Sequence, residues 1–142
     1  MAAMRIRVVF DTNVAVALVV FADPTLVALA ARWSSGEIDA LVDDETLAEF
    51  ERVLAYPELK LNAEREAVAR DAYRSRVTLI PVAAARHTDL PRCRDPDDQK
   101  FLHLADRAAA DWLLTRDKAL LRLRGRTKFR IARPEALSVK TD

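Results

Sequence analysis

The sequence predicts an α/β fold: a three-layer α/β/α sandwich with a central parallel sheet in Rossmann-like order. Two observations carry this expectation. Short β-rich runs alternate with stretches of helical periodicity, and such alternation implies right-handed crossovers and a parallel sheet covered on both faces. The chain is also of single-domain size: 142 residues, 51% hydrophobic and 32% charged, enough to bury a core and too apolar for disorder. No internal repeat, low-complexity segment or linker divides it, so residues 1–142 are expected to form one domain.

The elements follow in order. Arg5 to Phe10 reads as the first strand and stops at Asp11. The apolar run from Asn13 to about Phe21 reads as a buried helix. In "DPTLVALAARWSSG", Asp23 is an N-cap and Pro24 the first helical residue; Leu26, Ala30 and Trp33 are apolar, and Gly36 marks the stop. "IDALV" is a short second strand. "DDETLAEFERVLAYP" opens with acidic caps, carries Leu47, Phe50, Val53 and Leu54 at helical spacing, and breaks at Pro57. "NAEREAVARDAYRSR" is a more polar helix, and "VTLIPV" (77–82) the third strand. After a loop through Pro91 and Pro96, "DDQKFLHLADRAAA" is helical, "DWLLT" a fourth strand and "DKALLRL" a short helix. "FRIA" is an edge strand and "RPEAL" a last turn.

In such sheets the functional crevice lies beyond the carboxyl ends of the strands, which makes the acids informative. Asp11 follows strand one directly, and Asp117 follows strand four after Thr115 and Arg116. Asp95, Asp97 and Asp98 stand at the start of the helix leading into strand four. Glu49 borders the apolar stripe of its helix. Each has an ordinary explanation: Asp11, Asp98 and Asp117 as N-caps, Glu49 as a surface residue paired with Arg52 or Arg32. Together they are harder to explain so, because two carboxylates about 5 Å apart repel by roughly 3 kcal/mol at an effective dielectric near 20. A cation would relieve that repulsion. An oxygen-only set without histidine or cysteine suits Mg²⁺ or Mn²⁺, and an ion so held can serve phosphodiester hydrolysis. Thr12, Asn13 and Thr115 would then support the acids or touch phosphate, or act simply as caps.

Composition narrows the alternatives. The net charge of +1 imposes no nucleic-acid reading, but residues 116–133 carry eight Lys or Arg against one Asp, either a phosphate-binding strip or a solvated face. The lone Cys93 excludes an intramolecular disulfide, and His87 and His103 are too far apart to suggest a metal site and read as surface residues. "MAAMRIR" lacks the features of a secretory leader, and Val14 to Phe21 is too short to span a bilayer, so no membrane is involved and a cytoplasmic location is expected.

Four segments in order, "RVVFDTNV", "ETLAEFERVL", "RDPDDQKFLHLA" and "ADWLLTRDKALLRL", resemble the PIN domain, most closely the toxin components of toxin–antitoxin modules related to the VapC toxins. The resemblance runs from Arg5 to about Leu137. It implies a PIN-like sandwich and a Mg²⁺- or Mn²⁺-dependent endoribonuclease acting on RNA. It further implies a homodimer held inactive by a cognate antitoxin. Its catalytic and metal-binding acids map onto Asp11, Glu49, Asp98 and Asp117, with Thr12, Asn13, Asp95, Thr115 and Arg116 beside them. Two positions depart from the pattern. Asp43 stands where relatives usually have Ser or Thr at a helix start, a conservative cap change. Arg116 stands where they often have Gly, and could pair with Asp117, grip a phosphate or do nothing.

Rival readings fit less well. A haloacid-dehalogenase-like phosphatase would want an acid two residues after its nucleophile, where this chain has Asn13. A receiver domain would want an aspartate after strand three, which "VTLIPV" does not provide. A PIN-like module that binds RNA or a partner without cutting shares every motif and is separated only by turnover. A DNA flap nuclease would need a helical clamp that the chain lacks.

Overall fold

The computed structural model describes residues 5–81 and 89–138. Val82, the last residue of the expected third strand, and His87 lie outside the described residues, as do 1–4 and 139–142. Five strands form one parallel sheet: β1 (Ile6–Phe10), β2 (Ile38–Val42), β3 (Val77–Leu79), β4 (Trp112–Leu114) and β5 (Arg130–Ala132). Their order is β3-β2-β1-β4-β5. The helices are α1 (Thr12–Val19), α2 (Val27–Ser34), α3 (Asp44–Leu54), α4 (Ala63–Arg74), α5 (Gln99–Arg107) and α6 (Lys118–Leu121).

That order explains which helices share a face. The chain walks outward from β1 to β3, returns to place β4 on the free side of β1, and walks outward again to β5. With every crossover right-handed, the reversal of direction carries the later helices to the opposite face. One buried cluster accordingly joins α1 to α4 with Val8, Phe10, Ala40 and Val42. The other joins α5 and α6 with Val9, Leu41, Leu113 and Ile131. Successive strand residues serve opposite cores, as the pleat requires.

Four aromatic rings tie the first face together. Phe50 of α3 lies 4.2 Å from Tyr73 of α4, centroid to centroid; Tyr73 meets Trp33 of α2 edge-on at 6.0 Å, and Trp33 meets Phe10 of β1 edge-on at 5.2 Å. The Trp33 Nε1–H donates to the Arg76 carbonyl at 3.0 Å, so its one polar atom is satisfied inside the core.

Most expected elements are present, with shifted ends. The helix expected to reach Phe21 stops at Val19, and Phe21 is exposed. The expected Asp23–Gly36 helix is two pieces, because the Asp23 carboxylate caps a 3₁₀ turn at Pro24–Leu26 and α2 begins after it. Gly36, at φ 87°, ends α2 in the left-handed region, where a side chain would be strained. "RPEAL" forms a 3₁₀ turn at Pro134–Leu137. Among the described residues no single helix is long and apolar enough to cross a membrane.

The strand order also places the crevice. Connections leave β1 and β4 in opposite directions, so the carboxyl ends of this adjacent pair stay uncovered, with Asp11 at one and Thr115 to Asp117 at the other. Removing the best-buried ring of the aromatic chain should loosen the support of α3 beneath that edge. Phe50→Ala is expected to lower stability by about 3–5 kcal/mol in urea denaturation, and a loss below about 1 kcal/mol would show that the ring chain is not what holds α3.

Candidate functional site

Asp11 continues the strand and starts the helix. Its N–H donates to the Leu114 carbonyl at 3.1 Å, extending the β1–β4 pairing by one residue. Its Oδ1 accepts the Val14 N–H at 2.9 Å, capping α1, and its Oδ2 accepts the Thr115 hydroxyl. The residue is 5% exposed. Burial pushes the carboxyl from 3.8 up to about 6; the Thr115 and Val14 hydrogen bonds pull it down, while the charges of Asp117 and Glu49 push it further up.

Thr115, fully buried, links this acid to the next. Its Oγ1 donates to Asp11 and accepts the Asp117 N–H at 2.9 Å. Asp117 caps α6 through Oδ2, which accepts the Leu120 N–H at 3.0 Å. The cap explanations for Asp11 and Asp117 are therefore correct, and they leave Asp117 Oδ1 without a hydrogen-bond partner among the described residues.

Glu49 reaches the same edge from α3. Its Oε2 accepts the Thr12 hydroxyl, and its Oε1 pairs with the Lys100 ammonium at 2.6 Å. Neither arginine expected as its partner takes that role: Arg32 is engaged with Glu37 and the Leu137 carbonyl, and Arg52 forms no ion pair among the described residues.

Asp98 corrects its ordinary explanation. It occupies the N-cap position of α5 yet makes no capping hydrogen bond. The turn before α5 is capped by Asp95 instead, whose Oδ1 accepts the Asp97 N–H at 3.0 Å. Neither Asp98 oxygen has a hydrogen-bond partner among the described residues. Partial burial pushes the Asp98 carboxyl from 3.8 up to about 6, reinforced by the charges of Asp117, Asp95, Asp11 and Glu49. The charges of all three other sequence-derived acids thus act on Asp98, but among the described residues the donor atoms that lie within 4.8 Å of one another belong to Asp98, Asp117 and Cys93, without Asp11 or Glu49.

Other expected neighbours divide. Asn13 is exposed beside Asp11. Arg116 turns away from Asp117: its guanidinium pairs with Asp23 at 3.1 Å and Glu135 at 2.7 Å, tying the β4–α6 turn to the loop after α1 and to the last turn. Asp43 does more than a cap, since Oδ1 accepts the Thr46 N–H at 2.8 Å while Oδ2 pairs with Arg107 at 3.0 Å.

Three participants were missed in the sequence: Lys100, Arg107 and Cys93. Cys93 is buried, and its sulfur and one carboxylate oxygen each of Asp98 and Asp117 all lie within 4.8 Å of one another. No spacing signals this; the Gln99 amide folds the loop back, accepting the Cys93 N–H at 2.7 Å and donating to the Pro91 carbonyl at 3.1 Å. Lys100 was legible in principle, as a lysine in the first turn of an acid-capped helix, where the helix dipole disfavours a cation.

Four carboxylates against one ammonium make this sheet edge electronegative. Carboxylate oxygens without a protein partner at Asp98 and Asp117 suit a hard divalent cation, while the Cys93 sulfur beside them corrects the expected oxygen-only donor set.

A family model described as the PIN domain matches residues 7–119. Comparison with curated protein sequences gives no match. PIN domains are generally metal-dependent nucleases, and the donor set at this sheet edge fits such an ion. The matched segment runs from β1 into α6 and takes in all four acids; the chain belongs to the PIN domain family.

Proposed function

We propose that this PIN domain is a Mg²⁺- or Mn²⁺-dependent endoribonuclease and the toxin of a toxin–antitoxin pair. It would act in the cytoplasm as a homodimer and be restrained by a cognate antitoxin protein. The observation that carries the nuclease reading is Asp98, a half-buried carboxylate that caps nothing and has an oxygen within 4.8 Å of donor atoms on Asp117 and Cys93. Such a group adds repulsion and no stability to the metal-free fold, which is the signature of a site kept for binding. The toxin, antitoxin and dimer assignments rest on the order and spacing of the four resembling segments.

Asp98 and Asp117 would hold the ion, with Asp11 as the third carboxylate. When bound, the ion supplies a polarised water and positive charge against the scissile phosphate. The chain's own residues fix the geometry: Thr115 sets Asp11 and Asp117 relative to one another, and Thr12 and Lys100 fix Glu49. Arg122, Arg124 and Arg126 are exposed on the chain that follows α6 and are suited to RNA phosphates, whereas Lys128 and Arg130 lie at the amino edge of the sheet beside Arg5 and Asp111, away from the acids.

Asp11→Asn should reduce cleavage of a structured-RNA panel by at least about 100-fold, while metal-dependent cleavage at the wild-type rate would remove Asp11 from the site. No cleavage by the wild type with either ion would instead favour the non-cutting binding module. The same variant should stabilise the metal-free protein at pH 7.5, by on the order of 2–3 kcal/mol, since a buried charge is removed.

The sign of the pH dependence follows. Asp11 and Asp98 titrate at about 6 when folded and at 3.8 otherwise, so between those values the folded chain binds more protons than the unfolded one. Their destabilising effect is absent below 3.8, grows as pH rises, and is complete above about 6. The stability gap between Asp11→Asn and wild type, read from Tm with EDTA present, should therefore close as pH falls from 7.5 towards 4. A gap independent of pH would mean that Asp11 is not held up by burial.

Arg124→Gln with Arg126→Gln, in the non-cleaving Asp11→Asn background, should flatten the slope of log Kd for RNA against log salt by up to about two. An unchanged slope takes both residues off the phosphate path.

A further inference from the structure

The acids divide into two halves by what already touches them. Asp98 has no side-chain partner among the described residues, and Asp117 has the Leu120 N–H on one oxygen only. On the Glu49 side both oxygens are taken, one by the Thr12 hydroxyl and one by the Lys100 ammonium at 2.6 Å. Lys100 is well anchored there. Its side chain is 11% exposed, its ammonium also donates to the Asp97 carbonyl, and it lies 5.3 Å from the centre of the Phe101 ring. It stands in the first turn of α5, where a cation opposes the helix dipole, so helix stability alone would not select it. One short segment, Asp98-Gln99-Lys100, thus presents an open carboxylate to one half of the crevice and a fixed positive charge to the other.

An ammonium and a divalent ion compete for the same carboxylate oxygens and repel each other when close. We propose that Lys100 is the resident cation of the Glu49 half, so that the site takes one divalent ion, at Asp98 and Asp117, where a freed Glu49 would admit a second. This rests on the metal-binding reading above and adds the ion count and the residue that sets it. Lys100 is in this account a positioning residue: it holds Glu49 and supplies charge, and does not itself touch the substrate.

The test counts Mn²⁺ bound to the EDTA-treated full chain at pH 7.5, by electron paramagnetic resonance of the free ion, with circular dichroism as the check on folding. Wild type should bind one equivalent, Lys100→Arg one, and Lys100→Met two. Lys100→Gln, which keeps a hydrogen-bond donor for Glu49 without the charge, gives the same second equivalent if Lys100→Met does not fold. Two equivalents in wild type, or one in the folded neutral variants, would overturn the assignment while leaving the metal site standing. No binding by wild type removes the metal-binding reading and this inference together.

Discussion

A single threonine hydroxyl holds the two sides of this crevice together. Thr115 sits at the end of β4, donates to Asp11 at the end of β1 and receives the Asp117 N–H two residues on. The β1–β4 pair exists because the chain reverses direction there, which leaves its carboxyl edge bare of connections. Without the hydroxyl, the two carboxylates would still be held by their helix caps and by the Asp11–Leu114 pairing, but no side chain would link one to the other across that gap. With it, strand pairing, helix capping and site geometry are set by the same few atoms. The core beneath supports this rigidly, with Val14 and Leu120, whose N–H groups complete the two caps, both fully buried.

Much of this was legible in the sequence, for a physical reason. Asp11 and Asp117 each end an apolar strand-like run and begin a helix, and local chemistry suffices to place such residues at the carboxyl edge. The alternation of elements fixed the fold class in the same way, because periodicity is local. What the sequence did not show depends on contacts between distant segments. That Glu49 pairs with Lys100 and not with Arg32 or Arg52 is decided by how α3 and α5 converge, a 51-residue separation between the two partners. That Arg116 serves Asp23 and Glu135 follows from the last turn packing beside the loop after α1. Boundaries slipped for a subtler reason: Pro24 and its Asp23 cap favour a tight turn that uses up the residues expected to open α2.

The stability of the fold and the chemistry of the crevice are in tension at the acids and reconciled elsewhere. Two carboxyls pushed up to about 6 mark charges that the metal-free fold holds unwillingly. The two-sided core and the aromatic chain through Phe10, Trp33, Tyr73 and Phe50 supply the compensating stability. Asp43 shows the alternative treatment of a buried acid at the same edge. It spends one oxygen on a cap and the other on Arg107, so its charge is neutralised by the protein and no donor is left over.

Comparing these acids orders them by availability. Asp43 is closed, Glu49 is closed by groups that include a lysine, Asp11 is held by a backbone N–H and a hydroxyl, and Asp117 keeps one open oxygen. Asp98 keeps both. The satisfied acids, Asp43 and Glu49, belong to β2 and α3, and the oxygens without partners to the starts of α5 and α6. A cation bound at this edge would find oxygens without a protein partner at Asp98 and Asp117, whereas at Glu49 it would have to displace one. The thiol of Cys93 flanks the same open side, raised in pKa by burial, and so presents a neutral, polarisable wall and adds no further charge at neutral pH. The Glu49 flank is thus fixed by protein contacts before any ligand arrives, and the oxygens without partners are gathered on the Asp98 flank.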